Sequence, residues 1–191
     1  MSIPARYILR HDLALAAIAA GFTMPETLRT ARLTLTRLSL RDRDGNQQMY
    51  CEEETARFIG GVTDPAGAYE RLAMHAGHWV LRGCGSYALR LTGEDEYLGG
   101  AGIWFPHGWP ELEIAYGLMP EARGKSYATE AVRAIRDAAW HAGAPSLVSY
   151  IDPRNVASQR VAKAAGAQAE ATVCLSGKPC TVWRYPRRGA A

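Results

Sequence analysis

The sequence predicts an α+β domain, with a mixed, mainly antiparallel twisted sheet flanked by helices. Three short apolar segments follow one another between residues 86 and 118, separated by turn-forming residues, which is the pattern of an antiparallel meander. A long amphipathic segment at 124–142 then leads to a new apolar run at 147–151. That reads as a β-α-β crossover and adds a parallel pair to the same sheet. With 191 residues, 48% of them apolar, the chain is long enough for one such domain with a substantial core and too short for two.

Each element has its own signal. Residues 1–26 are expected to form an N-terminal helical extension. Within it, 13–22 is apolar, Asp12 stands as a cap, and Leu13, Ala16, Ala17 and Ala20 share one face. This run is well short of the roughly 20 residues of a membrane span, and no small-residue cleavage site follows it. Such a helix lies either on its own domain or on a second subunit, so a homodimer is one expectation. Residues 32–40, with Leu33, Leu35, Leu38 and Leu40, form the first strand, with a slip near Arg37. A charged turn at 41–46 leads to a helix at 47–58, ended by Gly60 and Gly61. A second helix at 68–82 carries Tyr69, Leu72, Ala76 and Trp79 at helical spacing and is broken by Gly83 and Gly85.

The meander occupies 86–91, 97–105 and 112–118, with turns at 92–96 and 106–110. In the helix at 124–142, Ala128, Val132, Ile135 and Ala139 face one way, and Glu130, Arg133, Arg136 and Asp137 largely the other. The strand at 147–151 is followed by a turn through Asp152, Pro153, Arg154 and Asn155 into a helix at 156–165, stopped by Gly166. Two last strands, 168–175 and 180–186, form a hairpin around 176–178. The order is β-α-α-β-β-β-α-β-α-β-β. The domain spans 27–186, and 187–191 is a tail.

Composition narrows the function. The net charge is +3 and the pI near 8.7, with no Lys/Arg run of the kind that binds nucleic acid. Cysteines at 51, 84, 174 and 180 form no C-x-x-C pair and match no zinc spacing, so no metal is expected. Cys174 and Cys180 sit on opposite arms of the last hairpin, but reduced core thiols in a cytoplasmic protein are the simpler reading. No segment has the length and apolarity to cross a membrane.

The most informative stretch is 118–130. An apolar strand ends at Leu118 and Met119, a proline turn follows, and a small, basic segment from Arg123 to Ala128 opens the long helix. Amides at a helix start have no partners within the helix and carry partial positive charge, so they suit a phosphate or pyrophosphate. Small residues let the anion approach the backbone, and Arg123 and Lys125 add full charges. The Gly-Lys-Ser tail at 124–126 lacks the upstream glycine of a Walker loop, since position 119 is methionine, and no G-x-G-x-x-G is present. An ordinary capped helix start is the plainer alternative.

Arg123, Gly124, Lys125, Ser126, Tyr127 and Ala128 closely resemble the R/Q-x-x-G-x-G/A pyrophosphate loop of the GNAT acetyltransferases, with Ser126 where that family usually has glycine. A serine there strains a backbone that prefers positive φ, at a cost of about 1 kcal/mol. Residues 30–37 (TARLTLTR) resemble the T-x-R-L-x-L-R start of the RimJ/RimL branch of that superfamily. Residues 113–118 (EIAYGL) resemble its E-I-G-Y-x-L strand, and 155–166, with Asn155, Ser158 and Gly166, its N-x-x-S helix. The resemblance covers about 27–186. It implies acetyl-CoA as co-substrate, bound by the loop from Arg123 to Ala128, by the backbone of Leu118 and Met119 between two splayed strands, and by Asn155 and Ser158. It implies an amine acceptor, either a small molecule or a protein N-terminus. A longer acyl-CoA donor and a non-catalytic acyl-CoA-binding module are the alternatives.

Acyl transfer from a thioester to an amine needs a base, because α-amino and lysine groups have reference pKa values of about 8 and about 10.4. It also needs stabilisation of the developing oxyanion and the departing thiolate. Glu113 is the candidate base. By strand alternation it shares a face with Glu111, Ala115 and Gly117, and the last two leave room beside it. Partial burial or a relaying water would bring a carboxylate into range. A strand-edge glutamate paired with an arginine is the bland alternative, and Glu111 is a second candidate if a bulge shifts the register. The resemblance places Ser158 near the thioester sulfur as a hydrogen-bond donor to the thiolate. Plain helix capping also explains Asn155 and Ser158, and the two roles are compatible. With no cysteine in the candidate site, attack is expected to be direct, within a ternary complex. Trp104, Phe105, His107 and Trp109 cluster near the 106–110 loop and suggest an aromatic pocket, with at least one of them in the core.

Overall fold

The computed structural model describes residues 5–187, with side chains from Arg10 onward; the expected tail lies outside these residues beyond Arg187. Eight strands form one sheet: β1 (Thr27–Arg29), β2 (Leu33–Arg37), β3 (Ser86–Leu91), β4 (Gly99–Trp104), β5 (Glu113–Leu118), β6 (Val148–Ile151), β7 (Gln168–Leu175) and β8 (Lys178–Arg184). Their spatial order is β1-β2-β3-β4-β5-β6-β8-β7. All neighbours are antiparallel except β5 and β6. The helices are α1 (Ala5–Ala19), α2 (Arg43–Cys51), α3 (Glu53–Ala56), α4 (Pro65–Arg82), α5 (Tyr127–His141) and α6 (Val156–Ala164). The α+β class and the meander thus stand as the sequence predicts.

Strand alternation divides the sheet into two unlike faces. One face carries Leu33, Leu35, Tyr87, Leu89, Ile103 and Ile114, all fully buried, against Ala131, Val132, Ile135 and Ala139 of α5. The opposite face carries Ala88, Gly100, Gly102, Ala115 and Gly117 beneath α2 and α4. A Cβ added at Gly117 would lie 2.6 Å from Met49 Cε and 3.3 Å from Ile59 Cγ2. Small residues there leave space between sheet and helices. Glu113, in phase with Ala115 and Gly117, is on this open face.

Several local expectations are corrected. The N-terminal helix starts at Ala5, so Asp12 is inside it rather than at its cap. Among the described side chains here Ala14 is buried and Leu15, Ala17 and Ile18 are half-buried, whereas Leu13, Ala16 and Ala20 are exposed. Ala14, Phe22 and Met24 join the main core, so α1 closes over its own domain. A short strand β1, unforeseen, pairs with β2. The expected helix at 47–58 is two helices, α2 and α3, divided at Glu52 (φ −101°, ψ 121°), whose side chain accepts from the amides of Glu54 and Thr55. Arg136 is buried, donating to the Ala165 carbonyl, because α6 packs over that side of α5.

Candidate active site

The only direct pairing of β5 with β6 is at Glu113 and Val148. The Val148 amide reaches the Leu112 carbonyl at 3.1 Å, and Ser149 Oγ donates to the Ile114 carbonyl at 2.6 Å. Beyond that point the strands part. The Met119 amide points the other way, to Leu98 O on the β4 side at 2.9 Å, so by alternation the amides of Tyr116 and Leu118 face the split. This corrects one expectation: the Met119 amide is consumed by Leu98, so it cannot donate to a ligand. Leu118 keeps its amide, while its carbonyl accepts from Arg123 Nε at 3.1 Å.

At the end of the split, the 3-10 turn Pro120–Ala122 delivers the chain into the start of α5. Gly124 and Ser126 both adopt left-handed backbone, with φ 74° and 63°. Glycine accepts this freely; Ser126 bears the expected cost of about 1 kcal/mol. The first helical bond runs from Glu130 N–H to Ser126 O, and the Ser126 side chain makes no cap. The amides of Tyr127, Ala128 and Thr129 therefore precede the helical ladder, with the positive end of α5 behind them. Lys125 is exposed beside them. Thr30 and Arg32 clamp Glu130, and the Arg32 guanidinium covers the Tyr127 ring, which fixes the start of α5 to the β1–β2 turn. Arg123 departs from the role expected of it. Its guanidinium turns to α3, donating to Glu54 and Thr55 at 2.8 and 2.7 Å, so it stiffens the loop instead of lying beside the amides.

On the open face is a cavity of about 540 Å³ lined by residues of α2, α4, the sheet and the β7–β8 hairpin. It brings Glu113, Asn155 and Ser158 together; the loop 123–128 is not part of its lining, whereas Cys180, against the expectation of a site without cysteine, is, with burial pushing its thiol up to about 11. Glu113 is 8% exposed. Burial pushes its carboxyl up to about 7, against the pull of two donors: Trp109 Nε1–H to Oε2 at 2.8 Å and the Tyr150 amide to Oε1 at 3.2 Å. A carboxylate so placed is half ionised near neutrality, in the range a general base requires. Asn155 Oδ1 caps α6 by accepting from the Ser158 amide at 3.1 Å, leaving its Nδ2 group for other use. The Ser158 carbonyl accepts from Tyr116 Oη at 2.8 Å, which ties α6 to β5.

Glu111 is not placed to act as a base. It is fully buried and held by Arg184 through two bonds of 2.8 and 2.9 Å and by Arg10 at 3.2 Å. The bland reading of a strand glutamate paired with arginine thus applies to Glu111 and not to Glu113. Among the aromatic residues, Phe105 is core, His107 is exposed, and Trp104 and Trp109 line the cavity. Sequence reasoning missed the bond from Trp109 to Glu113; the signal available was an indole four residues ahead of the acid, across a proline turn. It also missed α1's part: His11 Nδ1 lies 2.5 Å from the Trp109 carbonyl oxygen, bracing the residue that holds Glu113.

A family model described as an acetyltransferase (GNAT) domain matches residues 32–168. The chain is similar to a crystal structure of an acetyltransferase from Agrobacterium tumefaciens str. C58, with 30% identity and a TM-score of 0.79 over 87% of this chain and 96% of that one. An acetyltransferase (GNAT family) from Bacillus anthracis is 18% identical, with a TM-score of 0.70 over 83% and 96%. The aminoglycoside acetyltransferase AAC(6')-Ib in complex with coenzyme A is also 18% identical, with a TM-score of 0.70 over 82% and 95%. At that identity the last two speak for the fold alone.

Proposed function

The chain belongs to the GNAT acetyltransferase family, and from that premise we propose that it is an N-acetyltransferase that moves the acetyl group of acetyl-CoA to a primary amine by direct attack in a ternary complex. The observation that carries this reading is a buried Glu113 held near neutrality in a cavity it shares with Asn155 and Ser158. The sequence motifs favour the RimJ/RimL branch, and the binding of coenzyme A by a neighbour of the same fold favours the donor.

The residues present suit that donor. Gly124 has no atom within 4 Å of where a Cβ would stand, and no side chain caps the amides of 127–129, so a pyrophosphate has both room and donors. The Leu118 amide and Asn155 Nδ2 are the groups for the pantetheine amides in the split. Acetyl-CoA supplies an acyl carbon already activated by sulfur. Glu113 takes the proton of the attacking amine, directly or through one water, as the new C–N bond forms and the C–S bond breaks. Ser158 donates a hydrogen bond to the departing thiolate, which takes its proton from water. The donor's acyl length and the acceptor belong to the same test.

That test is thiol release from acetyl-CoA with a panel of amines, beside a control without acceptor. Amine-dependent release is expected. Glu113→Gln is expected to lower turnover about 100-fold or more, a typical value for a lost general base, with coenzyme A affinity by calorimetry unchanged. Cofactor binding with no acetylation of any amine would favour the non-catalytic reading, and preference for longer acyl-CoA donors would change the donor.

A further inference from the structure

The cavity has a charge pattern of its own. Of the carboxylates lining it, Glu113 is buried and poised near neutrality, and Asp152 is held by Arg154 through bonds of 3.0 and 2.7 Å. Its cations are Arg71 and Lys178. Arg71, on α4, lies over the Tyr50 ring at 4.6 Å and donates to the carbonyls of Gly61 and Gly60 at 2.8 and 3.2 Å. Two of its five N–H groups are thus used, and among the described residues no carboxylate pairs with it. His75, beside it, is driven down to about 4, chiefly by burial and further by its neighbours His78 and Arg71, so it is neutral at physiological pH. Met49, Phe58, Ile59 and Trp104 give the same cavity an apolar and aromatic part of its lining.

A polycation would be poorly served here. Each ammonium taken out of water needs its own carboxylate partner, and the cavity offers one carboxylate that is not ion-paired, the one required for proton transfer. A guanidinium with spare N–H groups and no carboxylate partner, in a partly apolar cavity, calls for the opposite charge. We propose that the acceptor is an amino acid in the broad sense: a primary amine presented to Glu113, carried on an apolar or aromatic body, with a carboxylate at its far end received by Arg71. This rests on the amine-transfer reading of Glu113 and narrows it.

The test uses the full chain with acetyl-CoA, a graded-length series of aromatic amino-carboxylates, the primary amide matching each one, and spermidine. At the best length, kcat/KM for the carboxylate is expected to exceed that for its amide by about ten-fold or more, the value of a charge-assisted hydrogen bond, with spermidine below both. Arg71→Gln is expected to abolish that preference by lowering kcat/KM for the carboxylate more than for the amide, and Arg71→Lys to keep part of it. Because Arg71 also holds the Gly60–Gly61 link, a merely structural role would lower carboxylate and amide alike, and that result overturns the proposal. Spermidine as the best acceptor also overturns it while leaving amine transfer intact. Inert amines throughout, with coenzyme A bound in calorimetry, overturn both.

Discussion

Trp109→Phe tests the electrostatics of the site most sharply. Phenylalanine keeps an aromatic ring against Tyr150, whose ring centroid lies 6.1 Å from that of Trp109, but removes the Nε1–H that donates to Glu113 Oε2 at 2.8 Å. That bond favours the ionised carboxylate and opposes the burial that pushes the group up to about 7. A hydrogen bond to a charged group is worth about 1.5–3 kcal/mol, and about 1.4 kcal/mol corresponds to one pKa unit. Complete loss would therefore raise Glu113 by about 1–2 units. Water entering from the cavity restores part, which leaves a rise of about 1 unit.

With the base at about 8 instead of about 7, the ionised fraction at pH 7 falls from about one half to about one tenth, and kcat/KM falls about five-fold. At pH 9 both enzymes are almost fully ionised and the difference nearly vanishes. The assay is kcat/KM against pH from 6 to 9.5 with one amine for both proteins, so that the amine's own titration cancels in the ratio. An unmoved acid limb, a limb shifted to lower pH, or an equal loss at every pH would refute the reasoning.

Other expectations follow from the same geometry. His11→Ala frees the Trp109 carbonyl and should shift the same limb upward by less than Trp109→Phe, with coenzyme A affinity constant; an unchanged limb would mean that α1 does not brace the base. Glu113 binds its proton more tightly folded than unfolded, so its favourable contribution is complete below about 4.5 and fades as pH rises through about 7. Wild type should therefore lose up to about 3 kcal/mol relative to Glu113→Gln between pH 5 and pH 8, read by urea denaturation at both values; parallel pH profiles would count against the burial argument. Asp42→Ala leaves Arg90 buried without its 2.5 Å partner and should cost about 3–5 kcal/mol, whereas a cost below about 1 kcal/mol would show the pair to be solvated. Ser126→Gly removes the left-handed penalty and should stabilise by about 0.5–1 kcal/mol, with a lower denaturation midpoint as the contrary result.

What could be read from the chain, and what could not, divides along physical lines. Strands β3 and β5 and the buried face of α5 were legible because period-2 and period-3.6 apolar patterns are set by which face meets the core. The same rule failed in α1, where nearly every residue from Leu13 to Ala20 is apolar or small, so periodicity carries no phase; burial of Ala14 is decided by what lies beneath it. Glu113 and Glu111 show the limit for the site. Two residues apart, both acidic and both buried, they are indistinguishable by spacing or strand phase. Their fates are set by distant segments: Arg184 and Arg10 neutralise one, and Trp109 and the Tyr150 amide cradle the other. Arg123 makes the same point in reverse. Local sequence puts its charge beside the free amides of α5, but the short helix α3, nearly 70 residues earlier in the chain, offers Glu54 and Thr55 as partners. The anion site proposed at α5 would then depend on backbone amides and Lys125 rather than on a fixed arginine. Its affinity should accordingly respond more to the conformation at Gly124 and Ser126 than to the charge at 123: Gly124→Val should weaken coenzyme A binding more than Arg123→Gln does. Calorimetry on the two variants decides it, and the reverse order would return the guanidinium to the phosphates.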